Sequence, residues 1–156
     1  MRVAATIAPL ALLATSCGGS RADPYAKSLA KGSEHVELHA TFAQAGRRVH
    51  ITGTGDFTNT PDRGRLHVFA SGNSFDEVFA GNRIYVNTFG DWVSGKVRGN
   101  NPQTPAEMFR ARLPAITENG LVRSITVRSS GGSATYVFSR YGEPVSITIP
   151  RVKGSK

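Results

Sequence analysis

Residues 34–57 read EHVELHATFAQAGRRVHITGTGDF. Val36, Leu38, Ala40 and Phe42 alternate with polar residues, and Val49, Ile51, Gly53, Gly55 and Phe57 do the same beyond Ala45-Gly46. A period of two marks strands that bury one face. Closing the stretch at Ala45-Gly46 as a two-residue turn sets Phe42 opposite Val49 and Ala40 opposite Ile51, so the two apolar faces coincide. A one-residue slip would send every apolar side chain to the other face. The stretch is a β-hairpin with one buried side.

The same exercise works outward along the chain. A turn at Gly72-Asn73 pairs Ala70 with Phe75 and Leu66 with Phe79, and one at Gly81-Asn82 pairs Phe79 with Ile84. Near the C-terminus, Gly131-Gly132 sets Val127 opposite Tyr136 and Ile125 opposite Phe138. Tyr141-Gly142 then sets Phe138 opposite Val145 and Tyr136 opposite Ile147, with Arg140 beside Glu143. These registers predict an antiparallel meander of nine or so strands. Helical segments are few. Asp23-Pro24 opens a short helix over 24–31, and Thr104-Pro105-Ala106-Glu107 has the form of a capping box with proline at the first helical position, for a helix that Pro114 ends after Leu113. So little helix cannot cover a broad apolar sheet, which must curl on itself; Gly53 and Gly55, mid-strand on the inward face, accommodate a curl or a close-lying ligand. The fold class expected is α+β, mainly β: a strongly bent antiparallel sheet, a half-barrel, with one or two short helices over its concave apolar face.

The chain has 156 residues, 19 Lys plus Arg, 11 Asp plus Glu, a net charge of +8 and one cysteine. That length fits one domain with a modest core and excludes two large ones. A lone cysteine excludes an internal disulfide framework and any cysteine-based zinc site. Arg2, the apolar run Val3 to Leu13 and the small residues Ala14-Thr15-Ser16 ahead of Cys17 form an export signal. The run is too short to span a bilayer as a helix. The arrangement resembles a bacterial lipoprotein signal, departing from it at Ala14, where leucine is common. That resemblance implies cleavage before Cys17 and acylation of its thiol. Losing sixteen residues leaves 140 and, without Arg2, a net charge of +7. The expected division is a signal peptide over 1–16, a tether over 17–23, the folded domain over 24–150 and a basic tail over 151–156. Localisation is then extracytoplasmic, anchored by lipid to the cell membrane. Nucleic acid is excluded as a partner there, and a basic surface favours anionic headgroups.

Further residues carry a family resemblance: Phe75-Asp76-Glu77-Val78, then Gly81-Asn82-Arg83-Ile84-Tyr85-Val86, Trp92-Val93, and the ending Phe138-Ser139-Arg140-Tyr141-Gly142-Glu143-Pro144-Val145-Ser146-Ile147. Together with the signal and the small-residue helix before the first long strand, they resemble the LolA-like lipoprotein carriers of the LppX and LprG type. The resemblance implies an apolar cavity under the half-barrel that holds the acyl chains of a lipid or lipoprotein in transit, so the partner expected is a lipid or other amphiphile; separately, no cofactor and no metal are expected. This chain is short for that family.

On that reading Val36, Leu38, Phe42, Val49, Ile51, Phe57, Leu66, Val68, Phe75, Phe79, Ile84 and Val86 line the pocket, with Met108 and Phe109 as a cover. The alternative is that the same residues form a filled core, in a noncatalytic module that interacts with an envelope protein or senses its state. Glu77 falls on the apolar face between Val68 and Val86, where it could mark the pocket mouth and orient a headgroup; a bulge or solvent exposure there would instead make it unremarkable chemically. The best enzyme-like set is His35, Glu37 and His39 with His50 on the partner strand, an admissible zinc or copper geometry that also arises on any polar outer face. Trp92 and Tyr85 could stack on a sugar, though sheet aromatics commonly serve packing. No nucleophile elbow or phosphate-cradling loop is present, so no enzymatic activity is expected.

Overall fold

A computed structural model describes residues 22–97 and 102–152. The expected signal peptide, Cys17 and nearly all of the tether lie outside the described residues, as do residues 153–156 of the basic tail. Helix α1 (Pro24–Ala30) starts where the Asp23 carboxylate accepts the Tyr25 N–H at 3.1 Å. Strands β1 (Ser33–Gln44), β2 (Arg47–Asn59), β3 (Asp62–Ala70), β4 (Asn73–Ala80), β5 (Arg83–Thr88) and β6 (Asp91–Lys96) follow. Then come α2 (Pro105–Arg110), β7 (Ala115–Glu118), β8 (Leu121–Ser129) and β9 (Gly132–Ser139). The capping box of α2 is complete, with Thr104 and Glu107 each satisfying the other's backbone. Both helices are shorter than expected: Lys31 and Ala111 are already C-caps, and Arg112, at φ 51°, takes the chain out of helix before Pro114 is reached.

All nine strands form one antiparallel sheet in the order β6-β5-β4-β3-β2-β1-β9-β8-β7, open at β6 and β7. It is a half-barrel rather than a closed barrel. The meander is interrupted once: after β6, at one edge, the chain passes through α2 to β7 at the far edge, which carries α2 across the concave side.

The hairpin over 34–57 has the expected register, Phe42 opposite Val49 and Ala40 opposite Ile51, and Phe79 lies opposite Ile84. Two turns fall one residue earlier than expected. Ser71-Gly72 replaces Gly72-Asn73, so Val68 meets Phe75 and Leu66 meets Glu77; Ser130-Gly131 replaces Gly131-Gly132, so Ile125 meets Tyr136. Moving a turn by one residue moves the pairing by two, so each side chain keeps its face.

The hairpin expected at Tyr141-Gly142 is absent, because β9 already has β1 on one side and β8 on the other and offers no free edge to Val145 and Ile147. Gly142 instead donates its N–H to Ser33, and the Ser33 hydroxyl donates to the Glu143 carbonyl at 2.6 Å. From there the chain runs without regular secondary structure along the convex face. Ser146, Ile147, Thr148 and Pro150 border a shallow cleft whose other wall is Arg65, Val78 and Trp92. The strap explains why Val78, on the outward face of β4, is only 2% exposed.

Glycine permits the bend. A Cβ on Gly55 would lie 1.9 Å from the Arg65 carbonyl oxygen, and one on Gly64 would lie 2.0 Å from the Phe57 ring. β2 and β3 therefore approach at Gly55, and Phe57 leans across Gly64 where a side chain would stand. The curl, rather than a ligand, occupies that space. Inside it, Val36, Phe57, Leu66, Val68, Phe79, Met108, Phe109, Val122, Ile125 and Phe138 make the core.

Candidate functional site

Both helices serve one end of the concave face. The Ser28 hydroxyl accepts the Val122 N–H, Asn59 donates to the Leu29 carbonyl, and Asp62 accepts from Thr104 at 3.0 Å and Arg110 at 3.2 Å. Burial pushes the Asp62 carboxyl up, opposed by Thr104 and Arg110. Glu34 lies in the same region, fully buried, with one oxygen accepting from Asn59 at 3.0 Å and the other without a partner. Desolvation raises it to about 8 despite that bond, with the nearby Asp62 charge adding to the rise.

Beside this packed end lies a partly enclosed cavity of about 150 Å³. Val36 and Leu38 from β1, Phe57 from β2, Leu66 from β3, Phe79 from β4 and Ile84 from β5 form its apolar wall. Phe57 and Phe79 pack together there, ring centroids 5.9 Å apart. Pro105 and Gln103, at the start of α2, close it from above, and Tyr136 on β9 closes one side. Among the described residues of this lining, Glu77 is the only carboxylate, and none is Lys, Arg or His.

Glu77 stands in an unbroken ladder between Leu66 on β3 and Val86 on β5, so the neighbour expected as Val68 is Leu66 and there is no bulge. Burial raises its carboxyl above the ordinary carboxylate value, and among the described residues no hydrogen bond or opposite charge offsets it. Tyr136 is also pushed up, first by burial and then by the negative charge of Glu77.

Of the residues expected to line the pocket, Val36, Leu38, Phe57, Leu66, Phe79 and Ile84 meet at the cavity. Val68 is buried in the core beside it. Val49, Ile51, Phe75 and Val86 are half-buried elsewhere on the concave face, and Phe42 is 36% exposed where β1 turns into β2. Met108 and Phe109 are each 1% exposed, the latter edge-on to Phe138 with centroids 5.0 Å apart. They are packed into the core beneath α2. Gln103, Pro105 and Tyr136 were not singled out from sequence. Tyr136 was within reach, since it shares the inward face of β9 with Phe138; the other two depend on where the β6–β7 crossing lays α2.

On the polar face, both ring nitrogens of His35 are engaged, Nδ1 with Asp56 at 2.7 Å and Nε2 with the Thr54 hydroxyl at 3.0 Å. His50 bonds Thr41. Among the described residues no group of three or more His, Cys, Asp or Glu side chains could hold a metal ion, and no helix is long and apolar enough to cross a membrane. Tyr85 is buried on the convex side, and Trp92 borders the cleft under the strap.

No protein-family model and no curated protein matches the chain. Among solved structures it is similar to the lipoprotein LppX of Mycobacterium tuberculosis, at 14% identity and a TM-score of 0.52, over 79% of this chain and 99% of LppX. LprF from Mycobacterium bovis aligns at 13% identity with a TM-score of 0.46, over 83% of this chain and 94% of LprF. The likeness to LppX shows a shared fold, and the resemblance read from the sequence holds at that level.

Proposed function

We propose that this protein is an extracytoplasmic lipoprotein, anchored through acylated Cys17, that binds a lipid or other amphiphile under its sheet without chemically altering it. The observation that carries this reading is the cavity itself: an apolar hollow in a bent sheet that shares the fold of a lipoprotein. Each methylene moved from water to such a wall contributes about 0.8 kcal/mol, so a partial chain suffices for useful affinity. Volume limits the cargo. Typical ligand pockets occupy roughly 300–1,000 Å³, whereas a cavity near 150 Å³ matches an engineered one that holds benzene. One headgroup or a short part of one chain fits inside, and a multi-acylated lipid does not.

The rest of a chain has a path. At the end away from the helices, Ile51, Phe75 and the exposed Phe42 continue the apolar concave surface. The same end carries exposed Arg47, Arg48 and Arg128, and Phe89 protrudes fully from the β5–β6 turn. These groups suit contact with an anionic bilayer surface, to which each nearby arginine contributes about 1 kcal/mol.

The small volume also favours a second reading, a noncatalytic module with an essentially filled core that contacts or senses another envelope protein. Native mass spectrometry of protein purified gently from the source membrane, together with calorimetric titration of dodecanol below its aggregation limit, separates the two. The binding protein retains an amphiphile and takes up dodecanol, and Leu66→Trp, which fills the cavity, abolishes uptake in a still-folded protein. Absence of both retained lipid and dodecanol binding in the wild type overturns the reading.

A further inference from the structure

We propose that the cavity selects an amphiphile with a positively charged amine head, a primary or quaternary ammonium, held by the Glu77 carboxylate among the rings of Phe57, Phe79 and Tyr136. The inference rests on the binding reading above and names its ligand class.

The wall supplies the two things that recognise an ammonium and neither of those that recognise an anion. Glu77 provides a negative charge inside a water-poor hollow, where an unpaired carboxylate is costly and a cation removes the cost. Three aromatic residues, Phe57, Phe79 and Tyr136, line the same hollow, and aromatic rings are the groups with which proteins hold quaternary ammonium ions. An anionic head, such as a fatty-acid carboxylate or a phosphate monoester, would find no Lys, Arg or His among the described lining residues and one like charge. A neutral alcohol gains only a hydrogen bond. The size agrees, because a trimethylammonium group with a few methylenes fills a hollow of this volume, with the remaining chain laid along Ile51 and Phe75 towards Phe42.

The overall charge of the protein makes the selectivity informative. At +8, or +7 once residues 1–16 are removed, the molecule as a whole repels cations, so a preference for ammonium can come only from local groups. Among the described residues, the titratable or polar groups that share the lining with Glu77 are Tyr136 on β9 and Gln103 ahead of α2, next to which Glu107 is held in its capping box. None of these is a competing cation.

The test is calorimetry on the full-length protein with three chains of equal length, all as monomers: dodecyltrimethylammonium, dodecanol and dodecanoate. The ammonium should bind at least tenfold tighter than the alcohol, with dodecanoate the weakest. Glu77→Gln should erase the preference while dodecanol still binds; Glu77→Leu serves as a second variant if the amide perturbs folding. If wild-type protein binds the alcohol as tightly as the ammonium, or if Glu77→Gln keeps the preference, the cation site is overturned and the cavity reading stands. If none of the three binds, the cavity reading itself fails and takes this inference with it.

Discussion

The Ser28 hydroxyl accepts the Val122 N–H at 2.9 Å, and both residues are fully buried. The carbonyl of Val122 is taken by the Tyr141 hydroxyl at 2.6 Å, so one residue of β8 is pinned from α1 and from the segment after β9. Ser28→Ala would strand a buried N–H, which costs about 1–3 kcal/mol. The urea midpoint should fall accordingly with an unchanged slope. A variant as stable as the wild type would mean that Val122 finds another acceptor and that the hydroxyl does not fix α1.

Glu34 makes stability depend on pH. In the unfolded chain its carboxyl ionises near 4.5, while in the folded protein burial holds the proton until about 8. An acid raised in the folded state gives its full stability below the unfolded value and loses it as pH rises towards the folded one. The loss runs at about 1.4 kcal/mol per pH unit, roughly 3 kcal/mol between pH 4.5 and 7. Glu34→Gln cannot ionise, so it should unfold at higher urea than the wild type at pH 7 and lack this component of the slope. Parallel pH profiles for the two proteins would contradict the assignment.

Gly64→Ala should be costly for a local reason. The added methyl would lie 2.0–2.1 Å from two atoms of the Phe57 ring, and overpacking of this kind typically costs about 1–3 kcal/mol. Shortening the ring side chain in the double variant Gly64→Ala, Phe57→Leu should recover part of that loss in thermal denaturation. Strictly additive losses would show that the ring is not what Gly64 accommodates.

Cys17→Ala should move the protein from the membrane fraction to the soluble one, with the N-terminal segment retained and no acyl mass on the chain. Intact mass measurement of both fractions checks it. A wild-type protein whose mature N-terminus is not an acylated cysteine would remove the lipid anchor from the proposal.

The sheet was legible in the sequence because its apolar positions alternate strictly, and a two-residue shift at a turn leaves that alternation intact. The turns themselves were less legible. Ala45-Gly46, Ser71-Gly72, Phe89-Gly90 and Asn119-Gly120 all have positive φ at both residues, with glycine second. That is the requirement of the tight hairpin turn whose twist matches the strands. Choosing Gly72-Asn73 put glycine first and displaced the register. The fate of Val145 and Ile147 was hidden for a different reason: their alternation is that of a strand, but whether an edge is free depends on which strands have already paired. The cavity was legible as a face and not as a volume. Six wall residues follow from period two, whereas Pro105 and Gln103 arrive through a crossing that joins opposite edges of the sheet, which no local pattern encodes. Glu77 was visible as an exception on an apolar face, and the unbroken ladder on both sides of it fixes its position in the wall.

Strand β1 lies in mid-sheet, paired to β2 on one side and to β9 on the other, where His35 meets Ser139 across nearly the whole length of the domain. A chain released N-terminus first can close β1 to β6 as successive hairpins, but the second side of β1 stays an unpaired edge until the last strand arrives. Such non-local closure is slow, and a bare edge is a template for pairing with another copy. The finished sheet is better protected, since its edges β6 and β7 are only six and four residues long. The aggregation hazard of this protein therefore belongs to the incompletely folded chain, and a factor that shields β1 until β9 has arrived would remove it.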